Sequence, residues 1–209
     1  MDRRERLASA RLYVVTDSRA RHEDLESFLD GILEAGTDVV QLREKDAEAG
    51  DLLRWAESFR DAADRHGALF LVNDRPEVAL AAGADGVHLG QNDLPPAVGR
   101  AILGPDAIVG LSCHSEEQLD AASPDADYVT AGPIHETPTK PGRPGTGLDP
   151  VRHAAATVTR PWFAIGGLSP ETLPAVLQAG ATRIAVVRAV TEAQDPAAAV
   201  RRLRAGLGS

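Results

Sequence analysis

In "QLREK", residues 41–45, Arg43 and Lys45 fall on one side of a strand end with Gln41 in phase. Two cations so placed suit a polyanion such as a diphosphate, the arginine through bidentate contacts and the lysine as a point charge. The plainer reading pairs them with Glu44 or Asp46 as a solvated strand end. Asn73 and Asp74 end "LFLVND", and Asp93 follows in "HLGQND". Carboxylates on neighbouring loops, with no cysteine and few histidines beside them, favour a hard, oxygen-ligated ion. Mg²⁺ held by one or two carboxylates plus a substrate phosphate fits best. The competing reading makes Asp74 and Asp93 caps of helices beginning near Pro76 and Pro95.

"AIGGLSP" supplies the Gly166–Gly167 turn and "AVVRAV" brings Val187 and Arg188 to a strand end, where backbone amides and a helix N-terminus could receive a phosphate. His88 and His114 read as packing or hydrogen-bonding residues before they read as bases. The segment "GPIHETPTKPGRPGTG", residues 132–147, can propagate neither helix nor central strand, because proline lacks the donor and glycine costs backbone entropy. Its hydroxyls Thr137 and Thr139 and its cation Lys140 are interleaved with Pro138 and Pro141. That grouping predicts a functional loop that closes, with Gly142, Gly145 and Gly147 as its hinge freedom.

These residues need a scaffold that gathers distant strand ends. Short apolar runs recur at 12–16, 38–43, 69–74, 86–90, 107–112, 128–132, 162–167 and 183–187. They are dense in Val, Ile and Leu rather than strictly alternating, as strands buried on both faces should be. Amphipathic segments separate them: Leu25, Phe28, Leu29, Ile32 and Leu33 form one stripe, closed by Gly36. In "SPETLPAVLQAG", Ser169 reads as an N-cap with Pro170 at the first helical position and Gly180 past the end. Repeated βα units at roughly 25-residue spacing predict an α/β fold, a single (β/α)₈ TIM barrel over residues 1–209 with 1–10 and 205–209 as flanking termini. A doubly wound sheet would expect a Gly-rich fingerprint after an early strand, and "TDSRARHED" has no glycine. In a barrel the chemistry collects at the C-terminal strand ends, which is where all the residues above fall.

With 209 residues, 43% hydrophobic and 25% charged, and a formal net charge of −9, the chain can bury a large core but is a poor bulk partner for nucleic acid. No apolar run reaches the roughly 18 residues of a membrane span, and the charged start precedes too short an apolar run for a signal peptide. Cys113 is the single cysteine, so a reducing, cytoplasmic setting is expected and no intrachain disulfide can form. A homo-oligomer is compatible with all of this.

Taken together, "QLREK", "LVNDRPEVALAAGADGVHLGQNDLP", "VGLSCH", "YVTAGPIHETPTKPGRPGTGL" and "AIGGLSPETLPAVLQAGATRIAVVRAV" closely resemble the thiamine-phosphate synthase family, from the first strand to the last. The resemblance implies a Mg²⁺-dependent transferase of thiamine biosynthesis. It would join 4-amino-2-methyl-5-(diphosphooxymethyl)pyrimidine to a thiazole phosphate, or its carboxylated form, releasing pyrophosphate through a pyrimidine cation. It assigns Gln41, Leu42, Arg43, Glu44, Lys45, Asn73, Ser112 and Lys140 to the pyrimidine diphosphate, with Arg43, Lys45, Ser112 and Lys140 at the chemical step. It gives Asp74 and Asp93 to the metal, and Thr137, Pro138, Thr139, Gly167, Val187 and Arg188 to the thiazole phosphate. Some members carry serine where Arg188 stands, so the position carries over better than the side chain. The related thiazole tautomerase typically loses the "ND" pair and second aspartate that this chain keeps. A non-catalytic barrel binding thiamine precursors would explain a phosphate site but not the metal and leaving-group set.

Overall fold

The computed structural model describes residues 2–19, 21–137 and 144–208. The eight apolar runs become β1 (Leu12–Thr16), β2 (Val39–Leu42), β3 (Leu69–Asn73), β4 (Gly86–Leu89), β5 (Ile108–Cys113), β6 (Tyr128–Ala131), β7 (Trp162–Ile165) and β8 (Ile184–Val186). Each pairs in parallel with the next, and β8 closes on β1 with Val14 opposite Val186, so the sheet is a closed barrel without edges. The helices are α1 (Arg3–Ser9), α2 (Leu25–Glu34), α3 (Ala49–His66), α4 (Pro76–Ala81), α5 (Pro96–Leu103), α6 (Glu116–Asp120), α7 (Asp149–Thr157), α8 (Leu173–Gln178), α9 (Arg188–Thr191) and α10 (Pro196–Leu207). Among the described residues no helix is long and apolar enough to cross a membrane.

Strand alternation divides the core. Val14, Val40, Leu42, Phe70 and Val72 point outward and meet the apolar stripes of the helices, including Phe28, Leu29 and Ile32 of α2. Tyr13, Val39, Leu69, Leu71, Ile108, Tyr128 and Phe163 fill the lumen. Gly110 is demanded by that filling: a Cβ there would lie 2.2 Å from Cζ of the Tyr128 ring.

The termini do more than flank. Residues 3–9 form α1, whose Leu7 joins the lumen cluster and is 2% exposed, so the helix plugs the N-terminal end of the barrel. Its charges have partners there: Arg3 and Arg6 reach Asp85, and Arg4 reaches Asp127. At the other end, α10 runs to a buried Leu207, whose carbonyl accepts from Arg11. The start of α8 also differs from the sequence reading. Ser169 caps a turn, its carbonyl accepting from Thr172 and Leu173 N–H, and the helix begins at Leu173. Pro174 explains the delay, since a residue without an N–H is tolerated only in the first helical turn.

Candidate active site

The C-terminal strand ends surround a cavity of about 1010 Å³, its open mouth included. Gln41 and Arg43 enter from the β2 side, Asn73 from β3, His88 from β4 and Ser112 from β5. Thr137, Gly166, Gly167, Val187 and Arg188 complete the far wall. Gln41 is buried and donates to the Tyr13 hydroxyl. Burial lowers the pKa of the Arg43 guanidinium, opposed by the charges of Asp74 and Glu44. Lys45 stands outside the cavity wall, half exposed, 3.8 Å from Asp74. Two neighbours in the "QLREK" run point elsewhere: Leu42 packs in the outer core, and Glu44 accepts from the N–H and hydroxyl of Ser18. Only their backbone remains available to a ligand at the mouth.

Neither aspartate caps a helix. The cap residues of α4 and α5 are Arg75 and Pro95, without side-chain cap bonds. Asp74 holds a left-handed φ of 61°, its N–H donating to the His88 carbonyl, a conformation aspartate tolerates better than most residues. Asp93 accepts from the Gly90 N–H at 2.7 Å, and a Cβ on Gly90 would lie 2.7 Å from that carboxylate and displace it. The two carboxyls meet. Burial first, then the hydrogen bond and charge of Asp93, push the Asp74 pKa up from 3.8 to about 6, against the pull of Lys45. A carboxylate pair held together at a cost has the chemistry to receive a hard cation. Among the described residues no group of three or more potential ligands forms.

Histidine chemistry is structural in the described contacts. His88 bridges the Tyr128 hydroxyl and Ser112 Oγ at 2.8 and 2.9 Å, and His114 Nδ1 lies 2.6 Å from the Gly132 carbonyl. Sequence reading gives Tyr13 and Tyr128 no role, yet these are the only tyrosines in the chain and both stand in the lumen. Their inward phase with Gln41 and Ser112 was the available signal.

Across the mouth, Gly166 and Gly167 take φ of 106° and 65°, and a Cβ on Gly167 would lie 2.6 Å from His135 Cβ. The turn is therefore glycine both for conformation and for its contact with the segment after β6. Val187 precedes α9, and Arg188 pairs with Glu192 at 2.8 Å rather than with the glycine turn.

Thr137 lines the cavity, while Pro138, Thr139, Lys140, Pro141, Gly142 and Arg143 lie outside the described residues. The base of their loop is tied down. Ile134 and His135 N–H donate to Ile165 and Gly166 carbonyls, and Thr146 and Gly147 N–H donate to Pro133 and Ile134 carbonyls. Gly145 is required by close packing: a Cβ there would lie 2.7 Å from the Ile134 carbonyl oxygen.

Comparison with known proteins agrees with this fold. The family described as thiamine monophosphate synthase matches residues 12–190. The thiamine-phosphate synthase of Acidothermus cellulolyticus is 54% identical over 206 residues, covering 97% of both chains. That of Mycobacterium tuberculosis (strain ATCC 25177 / H37Ra) is 52% identical over 214 residues, covering 97% of this chain and 96% of the relative. Among solved structures, a thiamine phosphate pyrophosphorylase from Pyrococcus furiosus superposes with a TM-score of 0.86 at 35% identity, over 98% of this chain and 96% of that one.

Proposed function

The chain belongs to the thiamine monophosphate synthase family, enzymes of thiamine biosynthesis, and we propose that its barrel mouth joins 4-amino-2-methyl-5-(diphosphooxymethyl)pyrimidine to thiazole phosphate. The observation that carries this reading is a single cavity at the barrel mouth lined by groups able to hold two anions. Arg43, Asn73 and Ser112 line it together with the Gly166–Gly167 turn, Val187 and Arg188, while Lys45 and the Asp74–Asp93 pair stand beside it without lining it.

In the reaction, the bond between the pyrimidine methylene carbon and the diphosphate oxygen breaks, both electrons leaving with pyrophosphate. The electron-rich aminopyrimidine stabilises the methylene cation, and the thiazole nitrogen lone pair then closes the new C–N bond. No protein nucleophile is required. Arg43, Lys45 and Ser112, with Lys140, neutralise charge that grows on the leaving diphosphate. Gln41 and Asn73 orient the pyrimidine. Thr137 and Thr139, Gly167 and the Val187–Arg188 backbone hold the thiazole phosphate so that its ring nitrogen faces the cation. Asp74 and Asp93 would hold Mg²⁺, which when bound supplies positive charge to the diphosphate. The lumen walls of Tyr13, Val15 and Ile165 keep water from the cation.

The test is pyrophosphate release by the purified protein. Release requiring both substrates and Mg²⁺ supports the reading. Thiazole isomerisation without pyrophosphate points to a tautomerase, and binding without turnover to a precursor-binding barrel; either result refutes it.

A further inference from the structure

A continuous line of polar side chains crosses the barrel lumen beneath the cavity. Gln41 Nε2 donates to the Tyr13 hydroxyl, and the Tyr13 and Tyr128 hydroxyls are 3.1 Å apart. The Tyr128 hydroxyl lies 2.8 Å from His88 Nδ1, and His88 Nε2 lies 2.9 Å from Ser112 Oγ. None of the five residues is more than 7% exposed. Their rings hold one another in place: Tyr128 stacks on His88 at 5.5 Å and meets Tyr13 and Phe163 edge-on. Burial pushes both phenols well above their ordinary range, so each stays a neutral hydroxyl with one proton.

One proton per hydroxyl gives the line a direction. An amide NH₂ can only donate, so the Tyr13 oxygen accepts from Gln41 and passes its own proton toward Tyr128. Tyr128 then donates to the lone pair of His88 Nδ1. An imidazole that is neutral in this setting carries its proton on Nε2 and donates to Ser112 Oγ, since the bond at one ring nitrogen sets the role of the other. Both ends are thereby polarised. The Gln41 carbonyl is left as an acceptor and the Ser112 proton as a donor, and both residues line the cavity. A line running the other way would offer an NH₂ at Gln41 and withdraw the Ser112 proton.

We propose that Tyr13, Tyr128 and His88 are positioning residues, forming an oriented relay that makes Gln41 an acceptor for the substrate's exocyclic amino group and Ser112 a donor to its diphosphate. This rests on the reaction proposed above. It makes the preference for an aminopyrimidine a property of side chains on the far side of the lumen from Gln41, because each member fixes the proton of the next.

Two measurements test it. Nitrogen-15 NMR of the histidine rings, with His88 identified as the signal absent from His88→Gln, reads the tautomer without substrate. A neutral ring protonated at Nε2 is expected, and protonation at Nδ1 overturns the direction of the relay. Tyr128→Phe keeps the ring packing and removes one hydroxyl, leaving Tyr13 to donate to the Gln41 carbonyl and turn its amide over. The KM for the pyrimidine diphosphate should rise roughly tenfold. The preference for the amino substrate over its 4-oxo analogue should fall by a similar factor, with the KM for thiazole phosphate unchanged. A folded, active Tyr128→Phe with wild-type preference overturns the proposal, whatever its kcat. A wild-type protein that releases no pyrophosphate refutes the functional reading instead, and the tautomer still judges the relay.

Discussion

Asp85 sits at the opposite end of the barrel from the cavity, immediately before β4, and is 2% exposed. Its Oδ1 accepts from Arg3 and Arg6 at 2.9 and 3.1 Å, and its Oδ2 from Arg60 and the Phe70 N–H, both at 2.9 Å. Asp85→Asn keeps the shape and removes the charge that three guanidiniums share. Two of those guanidiniums, on Arg6 and Arg60, already bury an Nε without a partner among the described residues. Breaking a buried ion pair from one side costs about 3–5 kcal/mol. Arg3 and Arg6 are 39% and 28% exposed at the side chain and can turn to water, so about 3 kcal/mol is the better figure. For a domain of this size that lowers Tm by about 6–12 °C.

The same contacts set the pH dependence. Burial pushes the Asp85 carboxyl up, but the Phe70 N–H and the Arg60 and Arg3 guanidiniums outweigh it and hold it below 3.8. A depressed folded-state pKa gives stability that is fully present above the unfolded value and is lost as pH falls through the folded one. Urea midpoints for wild type and Asp85→Asn should therefore differ by a constant amount between about pH 5 and 8, begin to narrow as pH falls below the ordinary carboxylate range, and converge only as it passes through the lowered folded value. Pyrophosphate release per folded molecule at 25 °C should be unchanged, since the N-terminal end of a barrel carries stability and not chemistry. A difference under about 1 kcal/mol at pH 7, a difference that does not narrow at all as pH falls below the ordinary carboxylate range, or a fall in kcat of the folded variant would each refute this reasoning.

At the mouth, Asp74→Asn and Asp93→Asn should each cut turnover at least tenfold, about 1.4 kcal/mol of transition-state stabilisation, and flatten the response of activity to Mg²⁺ concentration. Unchanged Mg²⁺ curves for both would remove the metal assignment. Arg188→Ser should keep kcat and at most raise the KM for thiazole phosphate, because Arg188 is already engaged by Glu192; steady-state kinetics with each substrate varied will show it. Lys140→Ala should lower kcat while thiazole affinity holds, and Thr137→Val should weaken thiazole phosphate binding, a split that single-turnover and equilibrium binding measurements resolve.

The strands were legible because burial on both faces leaves an apolar run whose ends are polar. Even the misplaced ends have a cause. The run at 38–43 shortens to β2 at Val39–Leu42 because Asp38 turns its carboxylate to the N–H groups of Arg11 and Leu12. The site was legible one wall at a time: Gln41 and Arg43 by strand phase, Asp74 and Asp93 by their place after β3 and β4. Phase also distinguishes Leu42 and Glu44, which alternate away from the cavity. What could not be read were contacts made by closure. Tyr13 and Tyr128 meet across 115 residues of chain. The charged N-terminal stretch reads as solvated until the barrel brings Asp85 and Asp127 beneath it.

The two ends of the barrel use charge in opposite ways, and the contrast bears on function. At the N-terminal end every carboxylate that precedes an even strand up to β6 meets arginine: Asp38 with Arg204, Asp85 with Arg3, Arg6 and Arg60, and Asp127 with Arg4 and Arg100. Opposite charges are matched there, and folding alone completes the arrangement. At the mouth, Asp74 faces Asp93, and Arg43 is desolvated without an ion pair among the described residues. Like charges brought together and a cation withdrawn from water both oppose folding. Both become favourable when a cation arrives beside the carboxylates and a polyanion beside the arginine. Asp74 has one ion-pair partner among the described residues, Lys45 at 3.8 Å, against three guanidiniums within 3.1 Å of Asp85. On the function proposed above, a metal ion and the substrate diphosphate would supply the missing counter-charges.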